Sequence, residues 1–146
     1  MKDSEIVELL ETSSALMKGH FLLSSGLHSS AYVQCARLLE RPDLCEEVCS
    51  LLAEKINAAN WPQADVVIGP ALGAVIVAYE LARQLDARAF FAERTDGEFS
   101  LRRGFTLSPG DKVIVAENTI TTGGSAHEVV QLADSLGADV LGVATL

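Results

Sequence analysis

Two kinds of apolar pattern divide the chain, and one gives way to the other near Asp65. Upstream, "DSEIVELLETSSALM" sets Ile6, Val7, Leu9 and Leu10 at helical spacing with Asp3 or Ser4 as N-cap, which predicts a first helix. In "GHFLLSSGLHSSAYVQCARLL" two short apolar stretches flank Ser24, Ser25 and Gly26, which predicts a hairpin with a glycine turn. "RPDLCEEVCSLLAEKINAAN" opens with Pro42 in a first helical turn. Leu44, Val48, Leu51, Leu52 and Ile56 then recur at helical intervals. Downstream, unbroken apolar runs take over. "ADVVIGPALGAVIVAYELARQLD" reads as strand, glycine-containing turn and helix; "ARAFFAER" as a strand; "TDGEFSLRRGF" as a polar loop or hairpin; "SPGD" as a turn. "DKVIVAEN" is a strand, "TITTGGS" a loop, "AHEVVQLADSLG" a helix closed by Gly137, and "ADVLGVATL" a last strand.

Strands that are apolar throughout belong in a sheet buried on both faces, and their alternation with helices makes that sheet parallel. The expected fold class is therefore α/β: an open, mostly parallel sheet flanked by helices, with a small N-terminal hairpin ahead of it. The chain of 146 residues suits one domain with its own core, so 1–146 reads as a single domain without repeats or linkers. It stops at Leu146 inside the last apolar run, with no turn signal or polar tail, which reads as a shortened C-terminus.

Composition narrows the partners. Hydrophobic residues make up 49% of the chain, as in globular proteins, and the net charge of -9 comes without a basic stripe, which disfavours nucleic acid. Cys35, Cys45 and Cys49 are an odd number and suggest a reducing compartment. "MKDSEIVELL" is too acidic for a signal peptide and "GAVIVAY" too short for a membrane span, so a soluble cytoplasmic protein is expected. His20, His28, Cys45 and Cys49 lack the spacing of a four-ligand zinc site, and no protein-held metal is expected. Trp61, next to Pro62, is expected to pack over a helix end.

The chemistry concentrates in "VIVAENTITTGGSAHE", Val113 to Glu128. In an open α/β sheet, ligands bind beyond the carboxyl ends of the strands. Gly123 and Gly124 allow a tight turn and close backbone approach, the following helix aims free N–H groups at the loop, and Thr121, Thr122 and Ser125 add hydroxyl donors. These groups make a phosphate cradle; the alternative is a plain strand-to-helix turn with Ser/Thr caps. Beside an anion cradle, the Glu117-Asn118 pair is best used on sugar hydroxyls, with Mg²⁺ nearby to screen charge. The loop has no lysine and no G-x-G-x-x-G spacing, so it is neither a Walker loop nor a dinucleotide fingerprint.

"VIVAENTITTGGSA" resembles the phosphoribosyl-pyrophosphate (PRPP) motif of the type I phosphoribosyltransferases. "GHFLLSSGLHSSAYVQCARLL", "IGPALGAVIVAYELAR" and "FAERTDGEFSLRRGF" extend the resemblance to the orotate branch of that family, as its hood, pyrophosphate-side loop and mobile catalytic loop. The hood would come from about residues 18–38. The resemblance implies a pentosyltransferase that passes the 5-phosphoribosyl group from PRPP to orotate in pyrimidine biosynthesis, acting as a homodimer. Mg²⁺ would be carried by PRPP. It implies that Glu117, Asn118, Thr119, Ile120, Thr121, Thr122, Gly123, Gly124 and Ser125 hold PRPP, with Thr121 also reaching the orotate side. Ala71, Leu72 and Gly73 would line the pyrophosphate through backbone N–H groups. Arg94 would reach it as a cation, and Tyr32 and Val33 would sit near the orotate ring. Glu117, Asn118 and Arg94 would be the catalytic set.

Four departures stand out. Asn118 replaces the motif's second acid, which implies binding kept and turnover reduced. No lysine lies between Thr95 and Asp111, where only Arg102 and Arg103 are cationic. Ser24 and Leu27 stand where basic residues are common. The arginine expected just past the final strand is not reached. The rival readings are a phosphoribosyltransferase for another base, such as a purine, and a PRPP- or nucleotide-binding protein of weakened catalysis.

Overall fold

The computed structural model describes residues 3–23 and 25–146, apart from the side chains of Asp3 and Ser4. The N-cap expected from Asp3 or Ser4 and the turn residue Ser24 thus lie outside what it describes. The chain divides into two compact units, Met1–Val48 and Cys49–Leu146.

In the first unit, helix α1 (Asp3–Thr12) is followed by strands β1 (Leu16–Leu22) and β2 (His28–Val33), which pair antiparallel. The helix covers the apolar positions Ile6, Val7, Leu9 and Leu10 and ends just past them. The Thr12 and Ser13 hydroxyls donate to the carbonyls of Glu8 and Leu10, and Ser14 turns left-handed at φ 56°. The hairpin has the expected glycine turn: Gly26 sits at φ 81° and donates its N–H to the Leu23 carbonyl at 2.9 Å. "CARLL", read as the tail of the hairpin, is instead a short helix α2 (Cys35–Leu39), too brief for a helical period to stand out.

The boundary between units falls within helix α3 (Pro42–Ala58). The buried stripe of α3 runs through Cys45, Val48, Cys49, Ala53 and Ile56. Of the expected stripe, Val48 and Ile56 are buried as read, while Leu44, Leu51 and Leu52 are half-buried and the smaller Cys45, Cys49 and Ala53 take the inner face beside them. All three cysteines are buried.

The second unit carries β3 (Val66–Pro70), α4 (Val75–Gln84), β4 (Arg88–Thr95), β5 (Glu98–Leu101), β6 (Lys112–Glu117), α5 (Gly124–Ser135) and β7 (Asp139–Thr145). The sheet order is β5-β4-β3-β6-β7, parallel except for β5, so the mixed α/β fold with a mostly parallel sheet stands as the sequence implied. Every residue of β3 is buried, as is β6 beyond Lys112. Alternation along these strands separates two covered faces. Val66, Ile68, Val113 and Val115 pack with Ala126, Val129 and Ala133 of α5, while Gly69, of opposite parity, meets Ala74 and Ala78 at α4.

"TDGEF" closes the β4–β5 hairpin with Asp96 at φ 52° and Gly97 at φ 89°, the two positive φ values of a type I′ turn. Gly137 ends α5 at φ 83°, and Ala138 N–H returns to the Ala133 carbonyl at 3.1 Å. Trp61, expected over a helix end, meets the sheet. Its ring lies on Gly142 of β7, where a Cβ would run into it.

Candidate active site

The connections out of β3 and β6 part in opposite directions: β3 leads through α4 to β4 on one side, and β6 leads through α5 to β7 on the other. Such a divergence opens a crevice beyond the carboxyl ends of two neighbouring strands. The loops of interest, 71–73 and 118–123, leave the sheet there.

Glu117 is the last residue of β6. It shares the parity of Val113 and Val115 and therefore faces the α5 side, where it is only 8% exposed. Burial raises its carboxyl pKa above the ordinary glutamate value, and the Asn118 backbone N–H, donating to it, pulls partly the other way. Beyond it the chain loops back into α5. Gly123 is the N-cap residue, in the left-handed conformation at φ 81°, and no side chain caps the helix. The first helical bond runs from His127 N–H to the Gly123 carbonyl at 2.9 Å, leaving the N–H groups of Gly124, Ser125 and Ala126 without intrahelical acceptors. The plain Ser/Thr-capped turn is therefore not what forms. The hydroxyls of Thr121, Thr122 and Ser125 stay beside the helix's positive end, where an anion is favoured.

One hollow is lined by Glu117, Thr119, Ile120, Thr121, Thr122, Gly123, Gly124, Ser125 and Ala126. It gathers eight of the nine residues expected for PRPP and adds Ala126, which sequence reading missed although it is the third residue of the helix. Asn118 does not line it. Its amide instead lies against the neighbouring loop: a Cβ on Gly73 would come within 3.2 Å of Asn118 Oδ1 and 3.3 Å of Nδ2. The structure thus brings the 71–73 loop and the 117–125 loop side by side. In the former, Ala71 donates its N–H to the Ala92 carbonyl at 2.8 Å, the Ala71–Leu72 peptide is cis, and the Leu72 side chain is exposed.

The expected cations are already engaged. Arg94 makes a bidentate pair with Glu128 of α5 at 2.8 and 3.1 Å, donates to the Gly97 carbonyl at 2.7 Å, and stacks 4.1 Å above the Phe99 ring. Glu128 is a second residue that sequence reading missed. Arg103 forms a fork with Glu93 at 2.7 and 2.8 Å, which holds that carboxyl below its ordinary pKa. Tyr32 and Val33 belong to β2 in the first unit, where the Tyr32 ring lies 5.7 Å from that of Phe21.

A strand-end carboxylate beside a helix N-terminus with unpaired backbone donors has the chemistry to accept a phosphorylated sugar. Among known proteins, the phosphoribosyl transferase domain model matches residues 35–146. The chain belongs to the phosphoribosyl transferase domain family. A relative from Carboxydothermus hydrogenoformans, named orotate phosphoribosyltransferase, is 51% identical over 142 residues, spanning 97% of this chain and 74% of the relative. Among solved structures, orotate phosphoribosyltransferase from Aeropyrum pernix is similar at TM-score 0.74 and 26% identity, over 97% of this chain and 80% of that one. The Mycobacterium tuberculosis orotate phosphoribosyltransferase in complex with inorganic phosphate gives TM-score 0.72 at 27% identity, over 98% and 80%. Within this phosphoribosyltransferase fold no helix of the described residues is long and apolar enough to cross a membrane.

Proposed function

We propose that the chain is an orotate phosphoribosyltransferase, moving the 5-phosphoribosyl group from PRPP to orotate to give orotidine 5-monophosphate and pyrophosphate. The observation that carries this reading is the hollow in which Glu117 faces the N–H groups of 124–126, taken with 51% identity to a relative of that name. An orotate ring nitrogen forms the new bond to the anomeric carbon as the bond to pyrophosphate breaks, through an oxocarbenium-like transition state. In this reading the backbone and hydroxyls of 121–125, with Ala126 beside them, hold the 5-phosphate, Thr121 also reaches the orotate side, and Glu117 accepts hydrogen bonds from the ribose hydroxyls. Leu72 and Gly73 offer backbone N–H groups to the pyrophosphate, whereas the Ala71 N–H, expected to do the same, is already held by the Ala92 carbonyl; Arg94 adds a cation to the ligand's phosphates. Tyr32 and Val33 belong to the orotate side, and residues 1–146 act as one catalytic domain with its hood at about 18–38.

The polar groups facing the hollow are one carboxylate acceptor together with hydroxyl and amide N–H donors, a set that suits a sugar phosphate. Among the described residues no group of three His, Cys, Asp or Glu could hold a metal ion. Mg²⁺ is read as cargo of PRPP and would there supply charge neutralisation for the leaving pyrophosphate. The cytoplasm fits an odd number of cysteines in the chain.

A turnover assay with orotate, PRPP and Mg²⁺ tests the reading; orotidine monophosphate formation is expected. Binding of PRPP without turnover would favour the second reading, a binding protein of weakened catalysis, which Asn118 supports. Asn118→Asp is expected to raise kcat about tenfold or more with little change in KM, since a carboxylate offers charge to a cationic transition state where an amide cannot. An unchanged kcat would contradict this.

A homodimer is the proposed assembly. Leu72, Ile76 and Tyr79 stand 86%, 51% and 68% exposed at helical spacing, beside an apolar groove lined by Val75, Phe91 and Phe105. Apolar surface of this kind calls for a cover. Sedimentation is expected to find a dimer that Tyr79→Glu dissociates; a monomer in the unaltered chain would refute it.

A further inference from the structure

Glu128 lies four residues beyond Gly124, about 6 Å along the axis of α5 from its N-terminus. The Arg94 guanidinium held there is therefore one helical turn from the hollow. It has reached that position from the rim of β4, on the same face as Phe90 and Ala92, which pack against α5. Both partners keep water access, at 44% and 43% exposed, so solvent screens the pair and breaking it costs little. A phosphate ester offers more charge and more acceptor oxygens than a carboxylate, and it takes the planar guanidinium fork equally well.

We propose that Glu128 parks Arg94 one helical turn from the phosphate cradle, and that a phosphate-bearing ligand in the cradle draws the guanidinium off Glu128 onto itself. The inference rests on the cradle reading above and adds a residue to it. Glu128 is a positioning residue: it touches no ligand, and it sets how readily Arg94 is given up. Because Arg94 also holds the Gly97 carbonyl, its departure releases the β4–β5 turn, so that occupancy of the cradle is felt in the hairpin that leads into residues 102–111.

Calorimetry of ribose 5-phosphate on the whole chain tests this, using four proteins: the unaltered chain, Glu128→Gln, Arg94→Gln and the double variant. Glu128→Gln is expected to bind about three- to fivefold more tightly at low ionic strength, the size of one exposed ion pair no longer in competition. Arg94→Gln is expected to bind several-fold more weakly, and adding Glu128→Gln to it is expected to change affinity less than twofold. A gain that persists without Arg94 would mean that Glu128 acts on the anion by its charge alone, and would overturn the proposal. So would unchanged or weaker binding by Glu128→Gln. If the unaltered chain binds no ribose 5-phosphate, the cradle fails along with the parked arginine; if it binds normally and Glu128→Gln makes no difference, only the latter fails.

Discussion

Glu117→Gln is expected to lower turnover by about two to three orders of magnitude while leaving the fold at least as stable at neutral pH. The two effects have one cause. Glu117 is the buried carboxyl at the end of β6, and burial raises its pKa above the ordinary value, with the Asn118 N–H only partly offsetting that. Between the ordinary and the raised pKa the native state holds this proton more firmly than the unfolded chain does. Stability therefore falls as pH rises through that window, and above it the native state carries the cost of an ionised, buried group. Glutamine keeps the shape and the Asn118 contact region without that cost. It cannot present negative charge to ribose hydroxyls or to an oxocarbenium-like sugar. Melting temperatures across pH should show the wild-type chain losing ground to the variant from mildly acid to neutral solution, and kcat should show the loss of rate. The acid limb of the wild-type pH–rate profile should lie above the range of an ordinary carboxylate. A variant with wild-type turnover would remove Glu117 from the chemistry.

The second large effect is structural. Gly69→Ala should destabilise the fold by about 3 kcal/mol through overpacking. A Cβ at Gly69 would stand 2.6 Å from the Ala74 carbonyl oxygen and 2.8 Å from Ala78 Cβ, and neither can swing aside, one being backbone and the other a methyl on a packed helix. The close approach serves the site. It lets the start of α4 sit directly on β3, so the intervening 71–73 loop is held tight against Asn118. For a chain of this size the change corresponds to a melting temperature roughly 6–12 °C lower. Residual soluble protein should bind PRPP poorly, because the loop has moved. A variant with an unshifted melting curve would show that α4 can back away from the sheet without penalty, contrary to the packing described here.

Much of this architecture could be read from the chain because its signals are local. The unbroken apolar runs at 66–70 and 113–116 identify buried parallel strands, and Asp96-Gly97 and Gly137 declare their turns by the φ values they permit. The cradle is equally local: a strand end, hydroxyls and two glycines within ten residues. What escaped reading depends on distance or on short length. Five residues of α2 cannot establish a period, and the inner face of α3 was set by which side chains were small enough to fit. Arg94 and Glu128 are 34 positions apart, and nothing in either neighbourhood announces the partner. The same holds for Trp61 on Gly142 and for Asn118 against Gly73, contacts that exist only once the sheet order is fixed.

A structure of the chain with PRPP or a non-reactive analogue bound tests the central claim most directly. The account predicts the 5-phosphate within hydrogen-bond distance of the N–H groups of 124–126, and the ribose hydroxyls on the Glu117 carboxylate. Phosphate density elsewhere, with the N-terminus of α5 empty or Glu117 turned away from the sugar, would contradict it.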